Sequence, residues 1–217
     1  MMANTKTKLK TKPKNKPKFI PKYIVGIDEV GRGPLAGPVA VGAVLATPAM
    51  LRRFRHIKES KQLSPKAREE WSLRIRNAAG SDLRIAVSFV SATMIDQKGI
   101  VPAIRSALAA SLKKLAVHPD ECRILLDGGL YAPAEYTQQQ TIIRGDASET
   151  VIAMASVVAK VERDQLMTTL HKKLPQYGFD AHKGYGTKKH IESVMKHGPS
   201  REHRLTFLTR ILVRAKP

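Results

Sequence analysis

The sequence contains a single cysteine, Cys122, and no long apolar run among its 217 residues. One cysteine cannot form an internal disulfide and disfavours a thiolate zinc site, which fits a reducing compartment. A transmembrane helix needs about 18 or more consecutive apolar residues, and the sequence has no such run. Its first residues also lack the apolar segment of a secretory signal. We therefore expect a soluble, cytoplasmic protein in which oxygen or nitrogen ligands hold any metal.

Acidic residues are also scarce, because 18 Asp and Glu stand against 38 Lys and Arg, which gives a formal charge of +20. Residues 1–22 contain eight lysines, three prolines and no acid. Such a segment has too few apolar residues to form a packed element, so we predict a disordered basic arm at residues 1–22. The arm is either a solvated tail or a segment that follows nucleic-acid phosphates in a salt-dependent way.

The remaining residues, 23–217, form the predicted domain and still carry a charge of +12. Hydrophobic residues make up 42% of the chain, which is enough for a core and excludes wholesale disorder. A basic domain favours a polyanionic partner, of which nucleic acid is the commonest. Charge alone leaves two classes open: an enzyme acting on nucleic acid and a non-catalytic basic nucleic-acid binding protein.

Apolar runs and turn residues predict an α/β fold, with a mixed five-stranded sheet flanked by helices and a helical C-terminal region. The first two strands form a hairpin around the loop 28–38. Ser64 and Pro65 are typical of a helix N-cap and first helical residue, which predicts a helix that ends near Asn77. The predicted strands are 23–27, 39–45, 83–90, 123–126 and 140–144, and the other predicted helices are 101–117, 150–170, 188–196 and 205–213.

Three of the predicted strands end in acidic residues: Asp28 with Glu29, then Asp127, then Asp146. Strand ends that converge on one side of an α/β sheet surround a crevice in which ligands bind. Each Asp next to a glycine is also compatible with a simple turn, since both residues are turn formers. Four gathered carboxylates would repel one another unless cations neutralised them, and hard oxygen ligands favour Mg2+ or Mn2+. Two such ions, about 4 Å apart, could activate a water and stabilise the leaving oxygen of a phosphodiester, which favours a nuclease.

The loop between the first two strands contains Gly31-Arg32-Gly33. It does not match the dinucleotide-binding fingerprint, because the third glycine is off spacing and Pro34 opposes a following helix. Glycine does allow the backbone to approach a ligand closely. The loop therefore predicts a ligand contact without identifying the ligand.

From about residue 23 to residue 212 the sequence closely resembles the ribonuclease HII family, the type 2 ribonucleases H. The most specific match runs from Gly26 to Val39 and includes the glycine-containing loop. Ribonuclease HIII, the sister family, usually has a lysine within that loop, so Arg32 favours ribonuclease HII. Further matches are Ser60-Lys61-Gln62-Leu63-Ser64, Leu126-Asp127-Gly128, Gly145-Asp146, residues 155–164, Gly184-Tyr185-Gly186-Thr187-Lys188 and His203-Arg204-Leu205-Thr206-Phe207.

The resemblance implies a ribonuclease H-like catalytic domain that cleaves the RNA strand of RNA–DNA hybrids. It also implies cutting on the 5′ side of a single ribonucleotide embedded in duplex DNA. Two Mn2+ or Mg2+ ions would act during in-line attack of water, and we expect a monomer. The catalytic, metal-holding carboxylates implied by the motif match are Asp28, Glu29, Asp127 and Asp146.

The resemblance further implies residues that bind the substrate. Gly31, Arg32 and Gly33 match the loop that reads the ribose 2′-hydroxyl, the group that distinguishes RNA from DNA. Tyr185 matches an aromatic residue that stacks on the sugar after the ribonucleotide, and Lys61 is a predicted phosphate contact.

Two further groups of polar residues are interpreted as structural. Asp164 falls within a predicted helix, where it can pair with Lys160 or Arg163. The seven histidines show no zinc-ligand spacing, so we interpret them as surface or packing residues. For His182 and His203, contact with a substrate stays open as an alternative.

Overall fold

Five strands form one mixed sheet in the computed structural model, which describes residues 19–214. The strand order is β3-β2-β1-β4-β5, with β1 antiparallel to β2, β2 antiparallel to β3, and β4 parallel to both β1 and β5. The predicted mixed five-stranded sheet and its first hairpin are confirmed. Most of the predicted arm, residues 1–18, lies outside the described residues. The strands are β1 Tyr23–Val30, β2 Val39–Ala46, β3 Leu83–Val90, β4 Cys122–Asp127 and β5 Gln139–Ile142.

Strand β1 is longer than the sequence pattern indicated. It continues to Val30 because its antiparallel register with β2 is maintained, pairing Asp28 with Gly42 and Glu29 with Val41. The predicted loop boundary at residue 28 is therefore wrong, although Asp28 and Glu29 do lie at the end of the strand as expected. Both acids lie within the last three residues of β1, so their positions are fixed by ladder hydrogen bonds rather than by a turn.

Helices cover both faces of the sheet, and several short helices add to the predicted set. The helix after Ser64 begins at Pro65 and ends at Asn77 as predicted, with the Ser64 Oγ accepting from the Ala67 N–H at 3.2 Å. The short helices were not predicted because four to seven residues are too few to establish a helical period. The helices are α1 Pro48–Arg53, α2 Pro65–Asn77, α3 Ala92–Lys98, α4 Ile100–Leu115, α5 Gly145–Ser148, α6 Thr150–Lys173, α7 Phe179–His182, α8 Lys188–His197 and α9 Leu205–Arg214.

Helix α6 lies directly on the backbone of the two central strands. A Cβ atom at Gly26 of β1 would lie 2.3 Å from the carbonyl carbon of Val151, and one at Gly42 of β2 would lie 2.4 Å from the Ala155 carbonyl oxygen. Only glycine permits this approach. The first half of α6 is buried all round, as its apolar sequence predicted, whereas α4 packs on the opposite face of the sheet.

The C-terminal region has its own apolar cluster, next to which three histidine rings stack. His190 and His203 are fully buried, and their Nε2 atoms lie 3.1 Å apart. The His203 Nδ1 accepts the Ser200 N–H, and the His190 Nδ1 contacts the Tyr185 carbonyl at 2.9 Å. This chain of bonds requires one proton on each ring, since a carbonyl can only accept and the facing nitrogens share one proton. Burial lowers the pKa of His203 to about 4 and also lowers the pKa of His190.

Because these buried histidines resist protonation, the free energy of unfolding should fall as the solution becomes more acidic. The unfolded chain takes up protons as the pH falls below about 6.5, while the folded state keeps His203 neutral down to about pH 4. The contribution of His203 to the free energy of unfolding is thus complete above about pH 6.5. It falls between pH 6.5 and 4, by up to about 3 kcal/mol.

Urea unfolding measured from pH 7 to pH 4 checks this expectation. His203→Gln should show a weaker loss of stability with falling pH than the parent, whereas the exposed control His56→Gln should match the parent. An unchanged pH slope in His203→Gln would contradict the assignment.

Candidate active site

The sheet topology brings two acidic positions to the same edge. In the parallel pair β1 and β4, Ile27 lies beside Leu126, so the next residues, Asp28 and Asp127, follow side by side at the carboxyl ends of the strands. The Gly145 N–H donates to the Asp127 Oδ1 at 2.7 Å, which attaches the beginning of α5 to the end of β4. The predicted convergence of acidic strand ends therefore holds for these two strands.

Asp146 reaches the same edge by a different route from the one expected. β5 ends at Ile142, and Arg144 adopts a left-handed conformation (φ 54°) that turns the chain into α5. Asp146 therefore lies in the first turn of a four-residue helix rather than at the end of a strand. It is 5% exposed.

The carboxylates influence one another through a poorly solvated environment. Desolvation, together with the charges of Asp127, Glu29 and Asp146, raises the pKa of Asp28 to about 8, while the Ser156 hydroxyl opposes the shift. Burial also raises the pKa of Glu29, and Arg32 opposes that shift from 3.4 Å away. The strand edge thus gathers four carboxyl groups. Glu29 lies near Arg32 and Asp146 near Lys61, whereas Asp28 and Asp127 form no ion pair within residues 19–214.

The donor chemistry at this edge fits a divalent metal ion. Its side chains offer carboxylate oxygens, the ligands that Mg2+ and Mn2+ prefer. Within residues 19–214, no three acidic, histidine or cysteine side chains are already close enough to form a ligand group. A bound divalent cation would offset the repulsion among these carboxylates. The residues Asp28, Glu29, Asp127 and Asp146 would hold the metal.

Lys61 lies at the mouth of this acidic edge. Its Nζ is 3.5 Å from the Asp146 Oδ2, and its side chain is 82% exposed. The neighbouring Ser60 Oγ lies 2.8 Å from the Ser156 Oγ, which attaches the segment to α6. The charges of Asp146 and Asp28 raise the pKa of Lys61, so it remains a cation available to an approaching phosphate.

The glycine loop, residues 31–38, borders the acids on another side. Gly31 has a positive φ of 86°, and a Cβ there would lie 2.1 Å from the Arg163 Nε, so the position requires glycine. At Gly33, by contrast, a Cβ would meet no atom within 4 Å. The fold therefore explains Gly31 and leaves Gly33, which is exposed, without a structural reason.

Tyr185 is attached to the glycine loop through its neighbour Gly184. The Gly184 carbonyl accepts the Leu35 N–H at 2.8 Å, and a Cβ at Gly184 would lie 2.3 Å from the Ala36 carbonyl oxygen. The Tyr185 side chain remains 45% exposed. The loop and this exposed aromatic residue consequently form one connected surface beside the acids.

Some polar residues near the site have structural roles. The Lys160 Nζ donates to the Asp164 Oδ1 at 2.7 Å within α6, which confirms the predicted pairing. The sequence analysis named Arg163 only as an alternative partner of Asp164 and assigned no role to Arg204. Both arginines are fully buried and donate to carbonyls of the glycine loop. The only sequence signal for these two arginines is that each lies within a motif of the family. Their hydrogen-bond acceptors are backbone carbonyls far away in the sequence, which no local pattern indicates.

Across the part of the chain that the structure describes, no helix is both long enough and apolar enough to cross a membrane.

Comparison with known proteins identifies related sequences and folds. Residues 25–212 match the family model described as Ribonuclease HII. A ribonuclease HII of Chlamydia pneumoniae is 42% identical over 186 residues, covering 85% of this chain and 82% of the relative. Ribonuclease HII in the PCNA:RNase HII complex from Archaeoglobus fulgidus has a TM-score of 0.69 at 25% identity, covering 89% and 98% of the two chains. A crystal structure of Bst-RNase HIII in complex with Mn2+ has a TM-score of 0.72 at 17% identity, covering 92% and 72%.

Divalent metal should stabilise the folded protein through the acidic edge. Binding to the native state alone adds about 2.7 kcal/mol at a concentration one hundred times the Kd, or roughly 5–10 °C in Tm for a chain of this size. We expect Mn2+ to raise the Tm of the parent by this order and to raise that of Asp28→Asn much less. Without metal, Asp28→Asn should be about as stable as the parent at neutral pH, since a carboxyl with a pKa raised to about 8 is then mostly protonated. Equal Mn2+ shifts in both proteins would contradict the site.

Proposed function

Because the chain belongs to the ribonuclease HII family and is a ribonuclease H endonuclease, we propose that it cuts at ribonucleotides both in RNA–DNA hybrids and in duplex DNA. In a hybrid it would hydrolyse the RNA strand. In duplex DNA it would cut on the 5′ side of a single embedded ribonucleotide. The observation that supports this proposal is the acidic strand edge of β1 and β4, bordered by a glycine loop and the exposed Tyr185.

The proposed reaction is hydrolysis with water as the nucleophile. Asp28, Glu29, Asp127 and Asp146 would hold two Mn2+ or Mg2+ ions, which when bound supply an activated water and stabilise the leaving oxygen. The Mn2+ complex of a related RNase HIII supports this choice of metal. The Ser156 hydroxyl stabilises the charged form of Asp28, and the Gly145 N–H fixes one oxygen of Asp127. Lys61 adds a cation where a phosphate would enter.

Recognition of the ribonucleotide is proposed for the surface beside the acids. The backbone of Gly31, Arg32 and Gly33 would read the 2′-hydroxyl, and Tyr185 would stack on the following sugar. The open space at Gly33 supports a ligand contact, because nothing in the fold itself requires glycine there. This surface would place the bond on the 5′ side of the ribonucleotide at the acidic edge.

Further features of the proposal concern partners and the arm. A non-catalytic binding protein would gain nothing from carboxylates facing phosphates, so the acidic edge disfavours that alternative. We propose that residues 1–22 strengthen binding to duplex phosphates through counterion release. We also propose that the protein acts in the cytoplasm as a monomer. The PCNA:RNase HII complex from Archaeoglobus fulgidus makes PCNA a second candidate partner.

Replacing Asp127 by Asn should abolish cleavage while leaving binding to the duplex largely intact. The substitution removes a metal-holding charge but keeps a side chain that can accept the Gly145 N–H. We expect the rate to fall at least about a thousandfold. The assay is single-turnover cleavage of a duplex with one ribonucleotide, with Asp82→Asn, a surface acid, as the control. Near-normal turnover in Asp127→Asn would rule out the assignment.

Replacing Gly33 by Ala should reduce activity without reducing stability. The added methyl group meets no protein atom but would displace the ribose from the backbone. We expect kcat/KM at a single ribonucleotide to fall about tenfold or more. A tenfold loss corresponds to the free energy of about one hydrogen bond. Gly80→Ala is the matched control, because a Cβ there also meets open space. Full activity in Gly33→Ala would show that the backbone at this position does not approach the substrate.

A further inference from the structure

Arg204 is a buried cation whose recorded acceptors are all backbone carbonyls of the glycine loop. Its guanidinium donates to the carbonyls of Gly31 at 2.7 Å, Arg32 at 2.9 Å and Gly37 at 3.0 Å. The side chain is fully buried, and burial together with the nearby Arg163 lowers the pKa of Arg204 to about 9. A buried guanidinium without a carboxylate bonded to it is costly, so its presence needs a reason.

Arg163 holds the other end of the same loop. From α6 its guanidinium donates to the carbonyls of Pro38 at 2.9 Å, Ala36 at 3.3 Å and Lys183 at 3.0 Å. Both arginines therefore bond to the end of the loop next to β2, where Arg204 reaches Gly37 between the two acceptors of Arg163. At the other end, Arg204 is the only side chain within residues 19–214 that bonds to the carbonyls of Gly31 and Arg32.

The inward direction of these two carbonyls determines where the following N–H groups point. In a trans peptide unit, the C=O of one residue and the N–H of the next point in opposite directions, and the described residues contain no cis peptide bond. With the Gly31 and Arg32 carbonyls turned inward to Arg204, the N–H groups of Arg32 and Gly33 point away from it. Both residues are exposed, and neither N–H donates to an acceptor elsewhere in residues 19–214.

We propose that Arg204 is a positioning residue for ribonucleotide recognition, which turns the Arg32 and Gly33 N–H groups outward as a pair of donors to the ribose 2′-oxygen. Two successive outward N–H groups form a concave donor site for an oxygen ligand. The inference rests on the proposed function and adds to it the residue that pre-orients the reading backbone. A lysine could not replace this arginine, since a single ammonium lacks the planar fork that spans three carbonyls.

Arg204→Lys tests the proposal through discrimination rather than through activity. Fluorescence anisotropy in EDTA compares the Kd for a duplex with one ribonucleotide and for the matched all-DNA duplex. We expect Arg204→Lys to reduce the ratio of these two Kd values by about fivefold to tenfold relative to the parent. The control is Arg84→Lys, because Arg84 also donates to two backbone carbonyls, those of Leu115 and Ala116, on a different part of the fold.

The outcomes separate this inference from the proposed function. If folded Arg204→Lys keeps the parent's ratio of the two Kd values, the inference alone is overturned. The inference alone is also overturned if the parent cleaves at the ribonucleotide but binds both duplexes equally. A parent that neither discriminates nor cleaves at the ribonucleotide would overturn the proposed function as well. A ratio that falls only in Arg204→Lys supports the positioning role, since a purely structural defect would weaken both affinities together.

Amide hydrogen exchange in the parent provides a second test that does not depend on a variant folding. The Arg32 and Gly33 amides should exchange rapidly in the free protein and become protected by the ribonucleotide duplex but not by the all-DNA duplex. Slow exchange in the free protein would overturn the proposal. Equal protection by both duplexes would also overturn it, because the oxygen bound would then belong to a phosphate.

Discussion

The contact between helix α6 and the backbone of β1 and β2 determines the geometry of the active site. It exists because Gly26 and Gly42 leave room for the helix where any Cβ would collide with it. Residues on one face of α6 then reach successive parts of the site, since positions four, seven and eleven apart share a helical face. Four residues of this face each lie next to a different part of the site. Ile152 packs on Gly145, and Ser156 lies beside Asp28. Further along the helix, Arg163 packs on Gly31, and Met167 packs on Gly37.

Charges of both signs are buried near this helix, and each sign is compensated differently. Two of the four carboxylates at the strand edge have a neighbouring cation, Arg32 or Lys61, and a bound divalent ion would compensate the group as a whole. The guanidinium groups of Arg163 and Arg204 bond to neutral carbonyls, which satisfy their N–H groups without cancelling their charge. The overall charge of +20 therefore says little about the site, whose chemistry depends on a few buried groups and their neighbours.

Local signals predicted most of the elements, whereas tertiary pairing decided the details. Ser64 and Pro65 fixed the beginning of α2 because capping is a property of adjacent residues. The end of β1 was predicted three residues too early, since only the register with β2 keeps Asp28 and Glu29 in the strand. The family motifs named the acids and the loop. The bonds from Arg204 to Gly31 and Arg32 join residues 173 and 172 positions apart, and no local pattern in the sequence predicts them.

That separation also has a consequence for biosynthesis. A ribosome adds about 5–20 residues per second, so roughly 9 to 35 seconds pass between the synthesis of Arg32 and that of Arg204. During this interval the nascent chain can form its central hairpin, but its glycine loop, proposed to read the ribose, lacks the guanidinium that turns the carbonyls inward. A partly synthesised chain would therefore carry the acids of β1 without an ordered means of selecting a substrate, and selectivity would be acquired among the last steps of folding.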